Sequence, residues 1–170
     1  MRALVFLLLQ ACAYQLLPSE APFAARRIVV VPFGEDVAVG LSGDLTQALT
    51  AHLASGGVQV VLDPAAADAV LQGRVVSVVS AGSPTSVGGV VPMYRLTATI
   101  EAKLISPTSE TLWTSTVTVG EDFLASAATN AHQLLGTEAN RRSAIFRLAQ
   151  TAAQQIHQRL LLASINRKVS

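Results

Sequence analysis

The chain has 170 residues, 51% of them hydrophobic, and its 12 Lys and Arg nearly balance its 11 Asp and Glu. This length suits one domain, and a nearly neutral chain lacks the basic footprint of a nucleic-acid-binding protein. No apolar run approaches the roughly 20 residues of a membrane-spanning helix, and a single cysteine excludes an internal disulfide.

The chain begins with a pattern typical of a secreted lipoprotein. Arg2 precedes a short apolar run, and the stretch Leu9-Gln10-Ala11-Cys12 resembles a bacterial lipobox, in which a cysteine thiol accepts a lipid and the leader is removed. We therefore expect residues 1–11 to be a signal peptide and Cys12 to be the lipidation site. The alternative is an ordinary secretion signal that happens to end near a cysteine.

A tether should follow this anchor. Residues 12–26 contain Pro18 and Pro22, which disfavour helix. We predict an extended acylated segment, and its thirteen residues 13–25 would span about 43 Å at full stretch. The single domain should then cover residues 27–165 and leave a short tail, 166–170.

Two short strands should begin the domain. The β-branched run Ile28-Val29-Val30-Val31 predicts a buried strand, and Val58 to Leu62 predicts a second, parallel to the first if the two share a sheet. Asp63 and Pro64 predict a single helical turn, capped by the aspartate with the proline in first position. A metal site at Asp63 and Asp68 is disfavoured, because a calcium loop needs more oxygen ligands at alternating positions.

Two main helices are predicted. Apolar residues recur at helical spacing from Leu41 to Leu53, with Ser42 or Asp44 as the expected cap. A closing helix should run from its cap at Thr137 to Leu162, with an apolar stripe made of Ile145, Leu148, Ala149, Ala152, Ile156 and Leu160. Three of its arginines are expected to face solvent: Arg141, Arg142 and Arg159. The alternative is that they form a phosphate-binding patch.

Three antiparallel strands should lie between these helices, at Ala69–Val79, Tyr94–Leu104 and Leu112–Val119. Tyr94–Leu104 is the clearest, because apolar and polar residues alternate over eleven positions and predict one buried and one solvent-facing side. The connection at 81–92 has no charge and is rich in glycine, which suggests mobility. Its tip is either a mobile hairpin end or a loop that inserts into a partner or lipid, and carries Val87, Val90 and Val91.

The sequence shows little sign of enzyme chemistry. It has no Gly-x-Ser-x-Gly elbow, no phosphate-binding glycine loop and no His/Cys cluster at metal spacing. Its three histidines are far apart along the chain, and the expected role of helix histidines is structural. We predict no catalytic residue, no cofactor and no metal.

The order of these parts resembles the LPS-assembly lipoprotein family, LptE. The likeness begins at Cys12-Ala13-Tyr14-Gln15-Leu16, which is similar to the family's Cys-Gly-Tyr-x-Leu start. It continues through Ile28–Phe33, Asp63–Gly73 and Leu112-Trp113 to the final helix. The resemblance implies an α+β fold in which two main helices pack on one face of a small, mixed, mostly antiparallel sheet of four to five strands.

The resemblance also implies a function. Family members are non-enzymatic lipoproteins of the outer membrane that plug the β-barrel LPS translocon, help it to assemble and aid insertion of lipopolysaccharide into the outer leaflet. The expected partner is therefore that barrel, with lipopolysaccharide as a further candidate for direct contact. A strand face rich in threonine would suit a polar barrel lumen, although threonine is also simply a good strand residue.

One feature departs from the family pattern, which associates lipopolysaccharide contact with basic residues near the sheet-end loops. Here 81–92 and 122–136 contain no Lys or Arg. The expected contacts are then Arg95 or Lys103 on a strand, or residues of the closing helix. The expected partner-contact loop carries Val87, Val90 and Val91.

Two other functions stay open at this point. One is a different envelope lipoprotein subunit, such as an accessory factor for cell-wall synthesis or export. The other is an envelope enzyme or small-ligand binder, which would need a deep pocket with converging polar side chains.

Overall fold

The computed structural model describes residues 25–35, 40–82, 93–125 and 131–169. A 3-10 turn lies between the third and fourth strands, at Pro64–Ala66. The other elements, in chain order, are β1 (Arg27–Val30), β2 (Gly34–Glu35), α1 (Leu41–Ser55), β3 (Gln59–Val60), β4 (Ala69–Gly82), β5 (Met93–Ile105), β6 (Thr111–Leu124) and α2 (Ala131–Val169).

The strands form one mixed sheet in the order β3-β1-β4-β5-β6, and β2 pairs with β4. β1 runs parallel to β3 and to β4, whereas β4, β5 and β6 form an antiparallel meander. Both helices pack on one face of this sheet. The α+β fold with two main helices on a small mixed sheet is therefore confirmed, as is the parallel pairing of the first two predicted strands.

The core lies between the helices and the sheet face that they cover. β5 confirms the alternation, because Leu96, Ala98, Ile100, Ala102 and Leu104 are at most 1% exposed. The predicted helical stripes are buried against them. Since no described helix covers the opposite face of β4, β5 and β6, that face is left to solvent or to a partner.

The start of α1 differs from the prediction. Gly40 occupies the N-cap position in the left-handed region, at φ 73°, and no side chain of the described residues caps the helix. The prediction of Ser42 or Asp44 as the cap is wrong, because both residues lie inside the first turn. Asp44 instead pairs with Arg142 of α2, whose Nη2 lies 3.0 Å from Asp44 Oδ2. The helix ends at Ser55, with Gly56 in the C-cap position.

α2 is longer than predicted, with 39 residues that span about 58 Å. It begins at Ala131, so Thr137 lies inside the helix and is not its cap. Gly136 does not interrupt the helix, because one glycine costs a helix only about 1 kcal/mol against alanine, and the alanines and leucines around it favour helix. None of the described helices combines the length and apolar character that crossing a membrane requires.

The two aspartates between β3 and β4 have structural roles. Asp63 caps the 3-10 turn as predicted, accepting a hydrogen bond from the backbone N–H of Ala65 at 2.9 Å. The carboxylate of Asp68 accepts bonds from the backbone N–H groups of Arg26 and Arg27 and from the Arg27 guanidinium. Side-chain and backbone bonds from Arg27 hold the pKa of Asp68 below its usual value. This carboxylate therefore ties the start of β1 to the start of β4.

Candidate functional site

The uncovered side of β4, β5 and β6, here called the outer face, is almost wholly polar. The strand register places its side chains in rows, such as Arg74–Glu101–Thr116 and Ser77–Thr99–Thr118. Val79 and Leu124 are exposed apolar exceptions. The polar members are Gln72, Arg74, Ser77, Arg95, Thr97, Thr99, Glu101, Lys103, Thr114, Thr116, Thr118 and Asp122.

Charged groups on the outer face are mostly paired within it. Arg74 Nε donates to Glu101 Oε2 at 3.0 Å, and the hydroxyl oxygens of Thr99 and Thr118 lie 3.5 Å apart. Bringing a polar group out of water costs less when it keeps a hydrogen bond. The outer face can therefore lie against another polar surface without leaving most of its charges unpaired.

Arg95 lies flat across the sheet. Its Nη1 is 3.4 Å from both carboxylate oxygens of Asp122. Its guanidinium also covers Gly120 so closely that a Cβ at position 120 would lie 2.9 Å from Arg95 Nε. Glycine at 120 thus provides the space for this arginine, and the Arg95 charge already has an acidic partner.

Lys103 stands apart from Arg95 on the same face. The two are eight residues apart on β5, about 26 Å at the usual rise of a strand, so the structure does not bring them into one site. Among the described residues Lys103 has no ion pair. It borders a hollow of about 240 Å³, which is also lined by Val31, Pro32, Gln72, Gly73, Arg74 and Glu101.

The arginines of α2 are engaged with neighbouring elements, which the sequence did not reveal. Arg142 reaches α1, donating to Gly40 O at 3.4 Å as well as pairing with Asp44. Arg159 donates to Ser115 Oγ at 3.2 Å and to Thr116 O at 2.7 Å. Arg141 pairs with Glu138 on its own helix. Helical spacing alone places such arginines on the solvent side. Only the positions of α1 and β6 beside α2 supply the partners of Arg142 and Arg159.

Two histidines from different helices meet at the interface between α1 and α2. The rings of His52 and His157 have centroids 6.1 Å apart and an interplanar angle of 25°. His157 Nδ1 is buried and has no hydrogen-bond partner within the described part of the chain. Burial, and second the nearby His52, lower the pKa of His157 from its ordinary value of 6.5.

The lowered pKa of His157 predicts acid sensitivity. The unfolded chain binds this proton more readily than the folded one, so stability should be highest above pH 6.5 and should fall as the pH drops from 6.5 through the lower pKa of the folded state. Urea midpoints measured from pH 8 to pH 5 should therefore decrease, and His157→Phe should reduce that slope. Asp68→Asn is the control, since Asp68 titrates below this window; an unchanged slope in His157→Phe would contradict the prediction.

The sequence also matches a protein-family model. The model described as LptE, Lipopolysaccharide-assembly, matches residues 25–160. The chain belongs to the LptE family. The match includes all six strands, α1 and most of α2, and it confirms the resemblance carried by the sequence. As an LptE-family member, the chain is grouped with non-enzymatic envelope lipoproteins of lipopolysaccharide assembly.

Solved structures share the fold of this LptE-family chain. Rare lipoprotein B from Shewanella oneidensis matches with a TM-score of 0.57 and 17% identity, over 84% of this chain and 98% of that one. A protein from Xanthomonas campestris matches with a TM-score of 0.60 and 14% identity, over 88% and 91% of the two chains. Likeness at such identities concerns the fold alone. Comparison with curated proteins found no match.

The predicted site residues of this LptE-family chain fall into two groups. Arg95 and Lys103 are described and lie on the outer face, as above. Cys12 and the valines of the 81–92 connection, Val87, Val90 and Val91, lie outside the described residues. In the part of the chain that is described, no three His, Cys, Asp or Glu side chains are close enough to hold a metal ion.

Proposed function

We propose that this chain is a non-enzymatic plug and assembly factor of the β-barrel LPS translocon. In this proposal acylated Cys12 anchors it to the periplasmic side of the outer membrane, and it aids insertion of lipopolysaccharide into the outer leaflet. Family membership supports a role in lipopolysaccharide assembly. The observation that carries the mode of action is the outer face, a polar surface of three long strands that the helices leave uncovered.

The chemistry of the outer face fits the lumen wall of such a barrel. The interior of an outer-membrane barrel is polar, so a plug needs polar contacts rather than an apolar patch. Thr114, Thr116 and Thr118 are exposed on β6 and carry short hydroxyl side chains, which allow close approach. The pairs Arg74–Glu101 and Arg95–Asp122 keep their partners when the face is covered.

Cross-linking at the outer face tests the proposal. A photoreactive amino acid at Thr116, in the full chain at native expression, should capture a large outer-membrane β-barrel protein. The matched control is Gln47, which is exposed on α1 and belongs to the helical side. Capture of a soluble or peptidoglycan-associated partner instead, or solubilised protein free of any barrel, would contradict the plug role.

Direct contact with lipopolysaccharide is proposed at Lys103, with Arg95 as the weaker site. A phosphate needs a cation whose charge is available, and Lys103 has no ion pair among the described residues, whereas Arg95 is held by Asp122. The contact loop with the barrel is proposed at the 81–92 connection, through Val87, Val90 and Val91.

Lys103→Ala should weaken binding of purified lipopolysaccharide about tenfold, the loss expected for one hydrogen bond to a charged group. Lys103→Arg should keep most of the affinity, and Arg95→Ala should have the smaller effect of the two alanine variants. Fluorescence titration of the detergent-solubilised chain measures all three. An unchanged dissociation constant for Lys103→Ala would contradict the proposed contact of Lys103 with lipopolysaccharide.

A further inference from the structure

The longest edge of the sheet belongs to β6, a strand of 14 residues with no neighbouring strand on its outer side among the described residues. Such an edge presents N–H and C=O groups that can pair with another chain. In natural proteins edge strands are usually short, carry charged side chains or are covered by another element. In this chain, side chains of α2 contact part of the β6 edge.

Three side chains of α2 hold backbone carbonyl oxygens of β6. Asn140 Nδ2 donates to Leu124 O at 3.0 Å, Arg147 Nη2 donates to Asp122 O at 3.1 Å, and Arg159 Nη1 donates to Thr116 O at 2.7 Å. The three acceptors are separated by even numbers of residues, so their carbonyls point to the same side of an antiparallel strand. That side is the outer edge, because the donors come from α2 and not from β5.

The two elements match in length along this contact. From residue 140 to residue 159 a helix rises about 28 Å, and from residue 116 to residue 124 a strand extends about 26 Å. α2 therefore runs antiparallel to β6, with its three donors distributed between residues 116 and 124 of the strand. Further bonds fix the two arginines: Arg147 Nε donates to Glu121 at 3.3 Å, and Arg159 Nη1 donates to Ser115 Oγ at 3.2 Å.

We propose that Asn140, Arg147 and Arg159 guard the β6 edge against antiparallel pairing with the β6 edge of a second copy of this chain. Each guard occupies a carbonyl that a pairing strand would need. Between Arg147 and Arg159 no described bond from α2 reaches the carbonyls of Thr118 and Gly120. The guards therefore act at the two ends of this segment and prevent the pairing from extending.

The uncovered edge is complementary to itself, which identifies a second copy as the partner. A two-fold pairing centred on Thr118 would place Thr116 opposite Gly120, and Thr114 opposite Asp122. No like charges would then face each other across the new pair, a condition that favours antiparallel pairing. The same patch would meet on both copies, as in the two-fold interfaces most common in homodimers.

The test compares a variant that lacks the three guard side chains with a control variant that carries the same number of alanine substitutions on α2. The full lipid-anchored chain carrying Asn140→Ala, Arg147→Ala and Arg159→Ala should shift from monomer to dimer and larger species in light scattering after size-exclusion chromatography. The control carries Arg142→Ala, Gln154→Ala and Gln158→Ala, which lie on the same helix but do not bond to β6 in the described structure. The control should stay monomeric, even if loss of the Arg142 contact with Asp44 lowers its stability.

A cysteine probe locates the contact. Thr118→Cys added to the guard variant should give a disulfide-linked dimer, because paired strands bring facing residues within disulfide reach. Thr99→Cys on β5, an inner strand of the sheet, should not, and the guard variant without an added cysteine gives the background. If the triple variant fails to fold, Arg159→Ala with Thr118→Cys takes its place. A folded guard variant that stays monomeric, or equal linkage from positions 99 and 118, would overturn the proposal.

Discussion

Replacing Ile156 by alanine should lower the free energy of unfolding by about 2–5 kcal/mol. Ile156 lies on α2 and is fully buried, among side chains of both helices and the sheet. Removing its side chain would leave a cavity beneath the longest helix. The lost transfer free energy and the lost packing contacts both contribute to the destabilisation. Urea unfolding followed by circular dichroism measures the change.

The same helix offers a matched control. Ile165 is 55% exposed, so Ile165→Ala should change the free energy of unfolding by no more than about 0.5 kcal/mol. Comparable losses from the two substitutions would mean that the last turns of α2 are packed in solution, contrary to the structure.

Replacing Gly73 by alanine should cost about 1–3 kcal/mol, the usual range for overpacking. A Cβ at position 73 would fall onto the backbone carbonyl oxygen of Glu101 and the ring of Phe33, whose Cδ1 would lie 2.9 Å away. The ring can turn, but the carbonyl belongs to the paired strand β5 and can move only with the sheet. The glycine is thus required by the close approach of Phe33 and β5, not by its own backbone angles.

Gly82→Ala on the same strand is the control, because no atom of the described residues lies within 4 Å of a Cβ at that position. It should be neutral, or slightly stabilising through a less flexible unfolded chain. In a Phe33→Ala background Gly73→Ala should cost less, since only the clash with the carbonyl remains. Equal unfolding midpoints for Gly73→Ala and Gly82→Ala would contradict this account.

Several elements were predictable because their signals are local. The alternation of β5 follows from strand geometry, and the turn at Asp63-Pro64 follows from a short carboxylate cap and the fixed φ of proline. The helix ends were harder. Gly40 replaces the expected cap of α1, and α2 continues through Gly136, because neighbouring contacts outweigh propensities of about 1 kcal/mol.

The candidate site was predictable only in part. The sequence placed Arg95, Lys103 and the threonines on one side of the sheet, since a period of two assigns faces. It did not show that Arg95 is held by Asp122 over Gly120, because that contact depends on the register between β5 and β6. The registers of β4, β5 and β6 join Arg74 to Glu101 and Thr99 to Thr118 in the same way.

The sequence by itself determined the period of each element, the polar side of the meander and the family to which the chain belongs. Only the tertiary structure decided the strand order, the meeting of His52 with His157 and the course of α2 along the open edge of β6. The reason is physical: periodicity and turn chemistry act between residues a few positions apart, whereas these contacts join residues that are distant along the chain. Whether the arginines of α2 face water or hold the sheet depends on where the helix lies.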